Sequence, residues 1–400
     1  MASEYKMTEK LYDTDAYATC FEAEILQVEP TKTGRCLILD KTLFFPEEGG
    51  QTQDKGTLTL NGVAYPVQYV GLEKRDGVDV ICHYVEGTNV IAMDLCGGTK
   101  VQGKIDWKDR YDKMQNHTGE HILSGIIHSE FGFDNVGFHL NDELFTMDFN
   151  GVITKEQLDF LEARANEIVM ENVAVYGEYL PDEDLAILEY RSKKEIDGAV
   201  RIVTIEGYDK CACCAPHVKS SIEVGVIKIV KAENWKGGMR LTVLCGNRAY
   251  KDYAKKHEIL QNLCRNFSTS EDKVSDVIEG VKNNLADLEF KMAALECQMA
   301  TEKLLQNPIS FFETLSPKAL TKAMDDAMKQ RPEELFMAFV GDDDKGYRYM
   351  VGSLTQNVED VGKMLREKLG AKGGGRGNMV QGMISAKKAE ILEVIKVQEI

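Results

Sequence analysis

The sequence predicts a mixed α+β protein in four parts. These are a small N-terminal β-barrel over residues 1–95, an α+β metal-binding core over 96–250, an antiparallel helical hairpin over 251–306 and a C-terminal α/β domain over 307–400. Three observations carry that prediction. β-branched and aromatic runs between Gly, Asp and Asn turns fill the first hundred residues. The apolar spacing becomes helical from Asp106. An unbroken four–three apolar repeat then occupies 274–299 before strand and helix signals resume. Four hundred residues allow two to four domains at roughly 100–200 residues each, and a hydrophobic fraction of 43% supplies ordinary cores.

In the first part, GRCLILDKTLFF, GTLTLNGVAYPVQYVG and VDVICHYVEG read as strands. Leu60-Asn61-Gly62-Val63 is a hairpin signal, because Asn-Gly accepts the positive φ angles of a two-residue turn. From Asp106, the residues Met114, Ile122 and Ile126 share one helical face, which places HTGEH (117–121) on a helix. Short strands in GFHLNDELFTMDFNG, a helix at about 154–171 and another at about 182–192 follow. Strands return in RIVTIEG, VGVIKIVKAEN and MRLTVLCG, with CCAPH (213–217) in a loop between them.

KDYAKKHEILQNLCRNF predicts the first helix of the hairpin. Val274, Ile278, Val281, Leu285, Leu288, Met292, Leu295 and Met299 predict an a/d seam on the second, opened by a capping-box pattern at Ser268-Thr269-Ser270-Glu271. Such a seam suits pairing within the chain or in a dimer. After Asn307-Pro308, LFMAFVGDDDKGYRYMVGSL reads as two strands round an acidic turn, VEDVGKMLREKLG as a helix, and the segment from about 386 as a final helix.

The net charge of −17 argues against a protein that coats nucleic acid through a general basic field. No apolar run approaches the roughly 20 residues of a membrane span. The N-terminal MASEYKMTEKLYD lacks the apolar core of a secretion signal, and the ten cysteines are scattered, so a cytoplasmic protein with reduced thiols is expected.

The chemistry concentrates in two short runs. HTGEH places His117 and His121 four residues apart, one helical turn on one face, and CCAPH places Cys213 four residues before His217. Imidazole and thiolate are the ligands zinc prefers, and together the runs supply a tetrahedral set of His117, His121, Cys213 and His217. Cys214 offers a rival thiolate, and Cys211 with Cys214 forms a rival CxxC. Cys96-Gly97-Gly98-Thr99 ends in Lys100 where a ligand is needed and is set aside.

HTGEH followed about 95 residues later by CxxxH resembles the zinc-containing editing domain shared by alanyl- and threonyl-tRNA synthetases. Three further segments agree. LFFPEEGGQTQDKG (43–56) resembles the Phe-Tyr-Pro…Gly-Gly-Gln…Asp-x-Gly signature of the alanyl branch. WKDRYDKMQNHTGEH reproduces its lead-in to the first zinc helix, and GGGRGNMVQG (373–382) resembles the glycine-rich loop of the C-terminal RNA-binding domain of alanyl-tRNA synthetase. These segments span essentially the whole chain, and no aminoacylation domain is expected ahead of them. The chain is therefore similar to the free-standing long-form alanyl-tRNA editing proteins (the AlaX group). One departure stands out: where that family has Cys-Gly-Gly-Thr-His, this sequence has Cys-Cys-Ala-Pro-His, which keeps the ligand spacing and loses the glycines.

The resemblance implies a zinc editing domain over 96–250 and an RNA-binding domain over 307–400. Its implied activity is hydrolysis of tRNA(Ala) mischarged with serine, and with glycine as a second substrate. A homodimer through the hairpin or the C-terminal domain is compatible with it. Nucleotide and ATP binding rest on resemblance alone, since GGGRG matches neither a P-loop nor a dinucleotide fingerprint. Gln51 is the expected substrate contact, because its amide donates and accepts and Gly49 and Gly50 admit a close approach. Thr118 and Glu120 complete the expected catalytic set. Glu120 serves as a general base or orients a ligand, and Thr118 more simply caps or packs. Arg240, after WKGGM, is expected to hold a phosphate or form a salt bridge.

For RNA contact the tail offers Lys372, Gly374, Gly375, Arg376 and Gly377. Between Gly362 and Lys388 seven basic residues stand against Glu367 alone, a local balance of +6. Glycine amides beside Arg and Lys suit a phosphate backbone. Two other readings remain. A non-catalytic RNA-binding protein with structural zinc needs the same four ligands. A metalloprotease would use HTGEH as HxxEH, leaving the Cys-His run and the tail without a purpose.

Overall fold

Alternating strands in the first hundred residues close on themselves. The computed structural model describes residues 5–192 and 199–397. Strand Cys20–Pro30 pairs with Gly34–Leu39 on one side and Lys100–Ile105 on the other, and the ring runs through Val78–Glu86, Val63–Arg75 and Gly56–Leu60. Ile25, Leu37, Leu58, Leu60, Val70, Ile81 and Val85 are buried together inside it. Register shifts at Ile25/Gln27 and Val67/Tyr69 bend two of the strands, as closure of a small barrel requires. Asn61 and Gly62 take the expected positive φ, 50° and 80°. The strand Lys100–Ile105 lies past residue 95, so the barrel draws on the segment expected to open the next part.

The chain divides into two compact units, Met1–Ile259 and Leu260–Ile400. Beyond its barrel, the first unit is organised by helix Trp107–Ile126, capped by Asp106, whose carboxylate accepts from the Lys108 and Asp109 amides. From Lys113 to Ile126 this helix is buried without a break. A sequence this polar stays buried only because its polar groups are paired. Arg110, fully buried, donates through Nε to Asp54 Oδ1 at 2.9 Å and through its terminal nitrogens to Asp54 Oδ2 and the Ala16 carbonyl. Asp54 also accepts from the Phe45 amide at 2.6 Å. Two motif residues thus fasten the barrel's Gly-Gly-Gln segment to the helix.

A four-stranded antiparallel sheet covers this helix in the order Ile227–Trp235, Gly238–Cys245, Phe145–Phe149, Asn135–Leu140. Helix Lys155–Glu171 packs on it, started by a Thr154/Gln157 capping box. A three-stranded sheet of Val175–Tyr179, Arg201–Ile205 and Asp209–Ala212 leads into the loop carrying Cys213 and His217. The helix expected at 182–192 is one turn only, Asp182–Leu185. Arg191 leaves it because its amide donates to the Lys210 carbonyl and its carbonyl accepts from Ala212, a strand-like bridge.

The second unit holds a five-stranded sheet in the order Ile309–Phe312, Phe336–Asp342, Gly346–Gly352, Met379–Ile384, Lys372–Gly374. Alternation splits its faces. Phe336, Ala338 and Val340 pack against helix Pro317–Gln330 and the end of helix Val274–Gln306. Met337, Phe339 and Val351 pack against helices Val358–Leu369 and Lys388–Lys396. The capping box expected at 268–271 is not formed. Ser268, at φ 51°, ends the preceding helix Asn247–Phe267, with the Thr269 amide donating to the Cys264 carbonyl, and no side chain caps the next helix. Val274 is buried at the start of the seam, and Val281, Leu285, Leu288, Met292, Leu295 and Met299 are exposed.

Candidate metal centre and active site

The buried helix supplies His117 and His121 on one face, and the loop after strand Asp209–Ala212 brings Cys213 and His217 against them. Local reasons hold that loop. Arg201 donates to the Cys213 and Ala215 carbonyls at 3.1 and 3.0 Å. Ala215 is itself part of the barrel's buried cluster, with Cys213 and Cys214 packed against it. The Ala that replaces glycine therefore anchors the loop by burial.

The four ligand atoms lie within 4.8 Å of one another. Cys213 Sγ is 3.6 Å from His117 Nε2 and 3.4 Å from His217 Nε2. Tetrahedral zinc with ordinary Zn–S and Zn–N lengths would separate its sulfur and nitrogen ligands by about 3.5 Å. The residues present fit a metal ion of that size and preference.

Each imidazole is held by its other nitrogen. With the three Nε2 atoms turned to the cluster, Nδ1–H of His117 donates to Gln51 Oε1 at 2.7 Å, that of His217 to Thr118 Oγ1 at 3.0 Å, and that of His121 to Asp209 Oδ2 at 3.3 Å. Asp209 is fixed in turn by a two-pronged pair with Arg191, at 2.7 and 2.8 Å.

Electrostatics agree with that assignment. Burial opposes ionisation of Cys213, yet His117 and His217 beside it hold its thiol well below the usual range. Burial also works against a charged His121, but Asp209 and Cys213 outweigh it and raise the imidazole to about 9. Burial lowers His217 to about 3. Burial pushes the Cys211 thiol up to about 12 and raises Cys214 as well, the latter helped by Cys213 and Glu48. Of the three neighbouring thiols, Cys213 is the one in the tetrad and the one favoured as a thiolate. Cys211 forms a separate buried trio with His121 and Asp209.

The other sequence-derived residues fall in three places. Gln51 is buried against His117, so it touches a ligand before it touches any substrate. Thr118 positions His217 and also accepts from the Val218 amide. Glu120 is fully buried; its Oε1 accepts from Ser124 Oγ at 2.7 Å and Asn135 Nδ2 at 2.6 Å, and its Oε2 is 3.7 Å from His121 Nε2. The carboxylate that orients His121 through Nδ1 is Asp209. Arg240 lies half-buried on strand Gly238–Cys245, paired with Asp148 at 2.6 and 2.7 Å and stacked 3.8 Å from the Trp235 ring. Lys372, Gly374, Gly375, Arg376 and Gly377 are exposed around the edge strand of the second unit. Sequence reasoning missed Asp209, Asn135, Ser124 and Arg191. The sole signal was a carboxylate two residues before a cysteine in YDKCACC.

Two family models match parts of this chain. The family described as threonyl and alanyl tRNA synthetase second additional domain matches residues 200–241, and class II (A) tRNA synthetases match 4–109. The chain is 29% identical to alanyl-tRNA editing protein AlaX-L of Pyrococcus horikoshii, over 97% of each chain, and 28% identical to alanyl-tRNA editing protein Aarsd1 of Danio rerio, over 91% of this chain and 88% of that one. It is 30% identical to the alanine–tRNA ligase of Pyrococcus abyssi over 97% of its own length, but spans only 43% of that ligase. The chain is thus a relative of the long-form alanyl-tRNA editing proteins, similar to them along nearly its whole length.

Proposed function

We propose that this protein is a zinc-dependent aminoacyl-tRNA deacylase that acts in trans on tRNA(Ala) mischarged with serine, and also with glycine. One observation carries the reading most directly: a zinc-sized tetrad whose ligand His117 is held by the Gln51 amide, in a chain similar end to end to named editing proteins. Bound zinc supplies a fixed positive charge that organises the site, and four protein ligands favour a positioning role over a metal hydroxide.

The protein's own groups do the remaining work. The Gln51 amide has its oxygen committed to His117, so its Nε2 is left to donate to an ester or hydroxyl oxygen. Glu120, fixed by Ser124 and Asn135, takes the proton of the attacking water. Thr118 acts through His217 and is a positioning residue. A donor that pairs with the seryl hydroxyl is left unpaired when alanine enters, which gives the selectivity that size alone cannot.

The basic tail around Lys372, Gly374, Gly375, Arg376 and Gly377 binds the tRNA backbone. A phosphate role for Arg240 would compete with its pair to Asp148. The exposed seam Val281–Met299 supports a homodimer. The ten unpaired cysteines suit the cytoplasm. None of the described helices is long and apolar enough to cross a membrane. We retain the four-part order within this reading, with the first boundary moved from 95 to follow the barrel strand Lys100–Ile105 and the others kept at 250 and 306. A protease reading is disfavoured because Cys213 closes the set that HxxEH chemistry leaves open.

The test is release of serine from Ser-tRNA(Ala) by the zinc-loaded protein. Serine should be freed while Ala-tRNA(Ala) is spared. Binding of both without hydrolysis would leave the non-catalytic RNA-binding reading.

A further inference from the structure

Glu48, Gly49, Gly50 and Gln51 form a two-residue hairpin beside the metal centre. The Glu48 amide donates to the Gln51 carbonyl at 3.2 Å and the Gln51 amide to the Glu48 carbonyl at 3.0 Å. Gly49 and Gly50 both have positive φ, 63° and 86°, which the tight primed turn demands. A side chain at Gly50 would strike the Phe138 carbonyl, 2.4 Å from its Cβ position.

Two residues that exchange both backbone hydrogen bonds sit directly opposite, and their side chains rise from the same face. Glu48 and Gln51 are therefore neighbours over the metal centre. Cys214 Sγ, next to ligand Cys213, lies 3.6 Å from the Cβ position of Gly49. Gln51 Oε1 is taken by His117, but Gln51 Nε2 is buried with no partner. Glu48 Oε2 is also shielded from water and has no partner.

The turn thus presents an acceptor carrying negative charge beside a donor, both desolvated and both unused. Leaving such groups unpaired is costly, and a ligand that satisfies both at once is strongly selected. An α-amino ester has that pattern: an ammonium three bonds from an ester carbonyl oxygen.

We propose that Glu48 anchors the α-ammonium of the aminoacyl group, while Gln51 donates to its ester oxygen. This rests on the deacylase reading and names a residue that reads what all aminoacyl esters share. Discrimination among amino acids would then lie elsewhere around the acyl group.

The experiment compares the zinc-loaded parent, Glu48→Gln and Glu48→Asp on Ser-tRNA(Ala), Gly-tRNA(Ala) and N-acetyl-Ser-tRNA(Ala). Binding of serinamide and N-acetylserinamide, followed by NMR, gives a readout independent of turnover. Glu48→Gln should raise KM for the two free-amine esters alike, by about 10- to 100-fold, and leave the N-acetyl ester as in the parent. Glu48→Asp, which keeps the charge, should retain much of the free-amine preference. Serinamide should bind the parent and lose its preference over N-acetylserinamide in Glu48→Gln. Equal losses on all three esters, or loss on the seryl ester with glycyl turnover intact, would overturn the anchor. Glu48-dependent serinamide binding in a protein that hydrolyses no ester would sink the deacylase reading and keep the amine site.

Discussion

Removing the Gln51 amide should weaken zinc binding, although no atom of Gln51 is a ligand. Its Oε1 accepts from His117 Nδ1 at 2.7 Å, and both side chains are almost wholly buried, at 1% and 3% exposure. In Gln51→Ala the His117 N–H has no acceptor in a site closed to bulk water. An orphaned buried donor costs about 1–3 kcal/mol, hence roughly 5- to 150-fold in affinity. Partners that orient ligating histidines typically contribute about 10- to 100-fold, so the two scales agree. The assay is chelator competition for zinc at one fixed pH, because ligand deprotonation makes affinity pH-dependent. Gln51→Glu separates the two roles of the amide. It restores an oxygen acceptor for His117 and removes the N–H donor, so it should recover zinc affinity and not seryl-ester turnover. Parent-like zinc affinity in Gln51→Ala would refute the reasoning and return Gln51 to the pure substrate contact that its sequence setting suggests.

Three further outcomes follow from the same structure. Cys213→Ser should abolish tight zinc binding while Cys214→Ser retains it, as measured by metal analysis after gel filtration; the reverse order would move the ligand to Cys214. Lys372→Glu combined with Arg376→Glu should weaken tRNA binding and flatten its salt dependence by about one unit of slope per lost phosphate contact, with zinc content unchanged. His83, buried in the barrel between Thr42 Oγ1 at 2.9 Å and the Leu37 carbonyl at 3.1 Å, is pushed down by burial from an ordinary 6.5 to about 4. The unfolded chain therefore binds the extra proton first. His83 thus contributes stability that is whole above pH 6.5 and lost as pH falls to 4, on the order of 3 kcal/mol. Urea unfolding should show that loss in the parent and a correspondingly shallower pH dependence in His83→Gln.

What the sequence made legible was local. The i,i+4 pair in HTGEH, set among Met114, Ile122 and Ile126, was legible as one face of a helix, and the structure places it on the buried helix Trp107–Ile126. Asn61-Gly62 specified its turn because few other dipeptides tolerate those φ values. Periodicity could not say that Arg191 would be drawn from a helical pattern onto a strand edge by two backbone hydrogen bonds. Nor could it say that a Ser-Thr-Ser-Glu run would close one helix when its pattern also fits opening the next. Both outcomes turn on which distant backbone groups are in need of partners, and no window of neighbouring residues contains that information.

The metal centre shows the same division between ligands and the groups that aim them. The four ligands are visible as two matched spacings, whereas their supports come from three unrelated stretches. Gln51 is 66 residues from His117, Asp209 is 88 from His121, and Thr118 is 99 from His217. The nearest carboxylate in sequence, Glu120, comes within 3.7 Å of His121 Nε2 but does not hold its Nδ1. Successive helical residues point about 100° apart, so Glu120 turns to Ser124 and Asn135 while the strand-borne Asp209 reaches His121. The buried Arg110–Asp54 pair then acquires a purpose beyond stability. It ties the helix that carries two ligands to the segment that carries Gln51, so that the metal centre and the Gly-Gly turn above it keep one geometry. A site assembled from such distant pieces works only if the pieces cannot drift, and the most buried charges in this unit sit where that drift would begin.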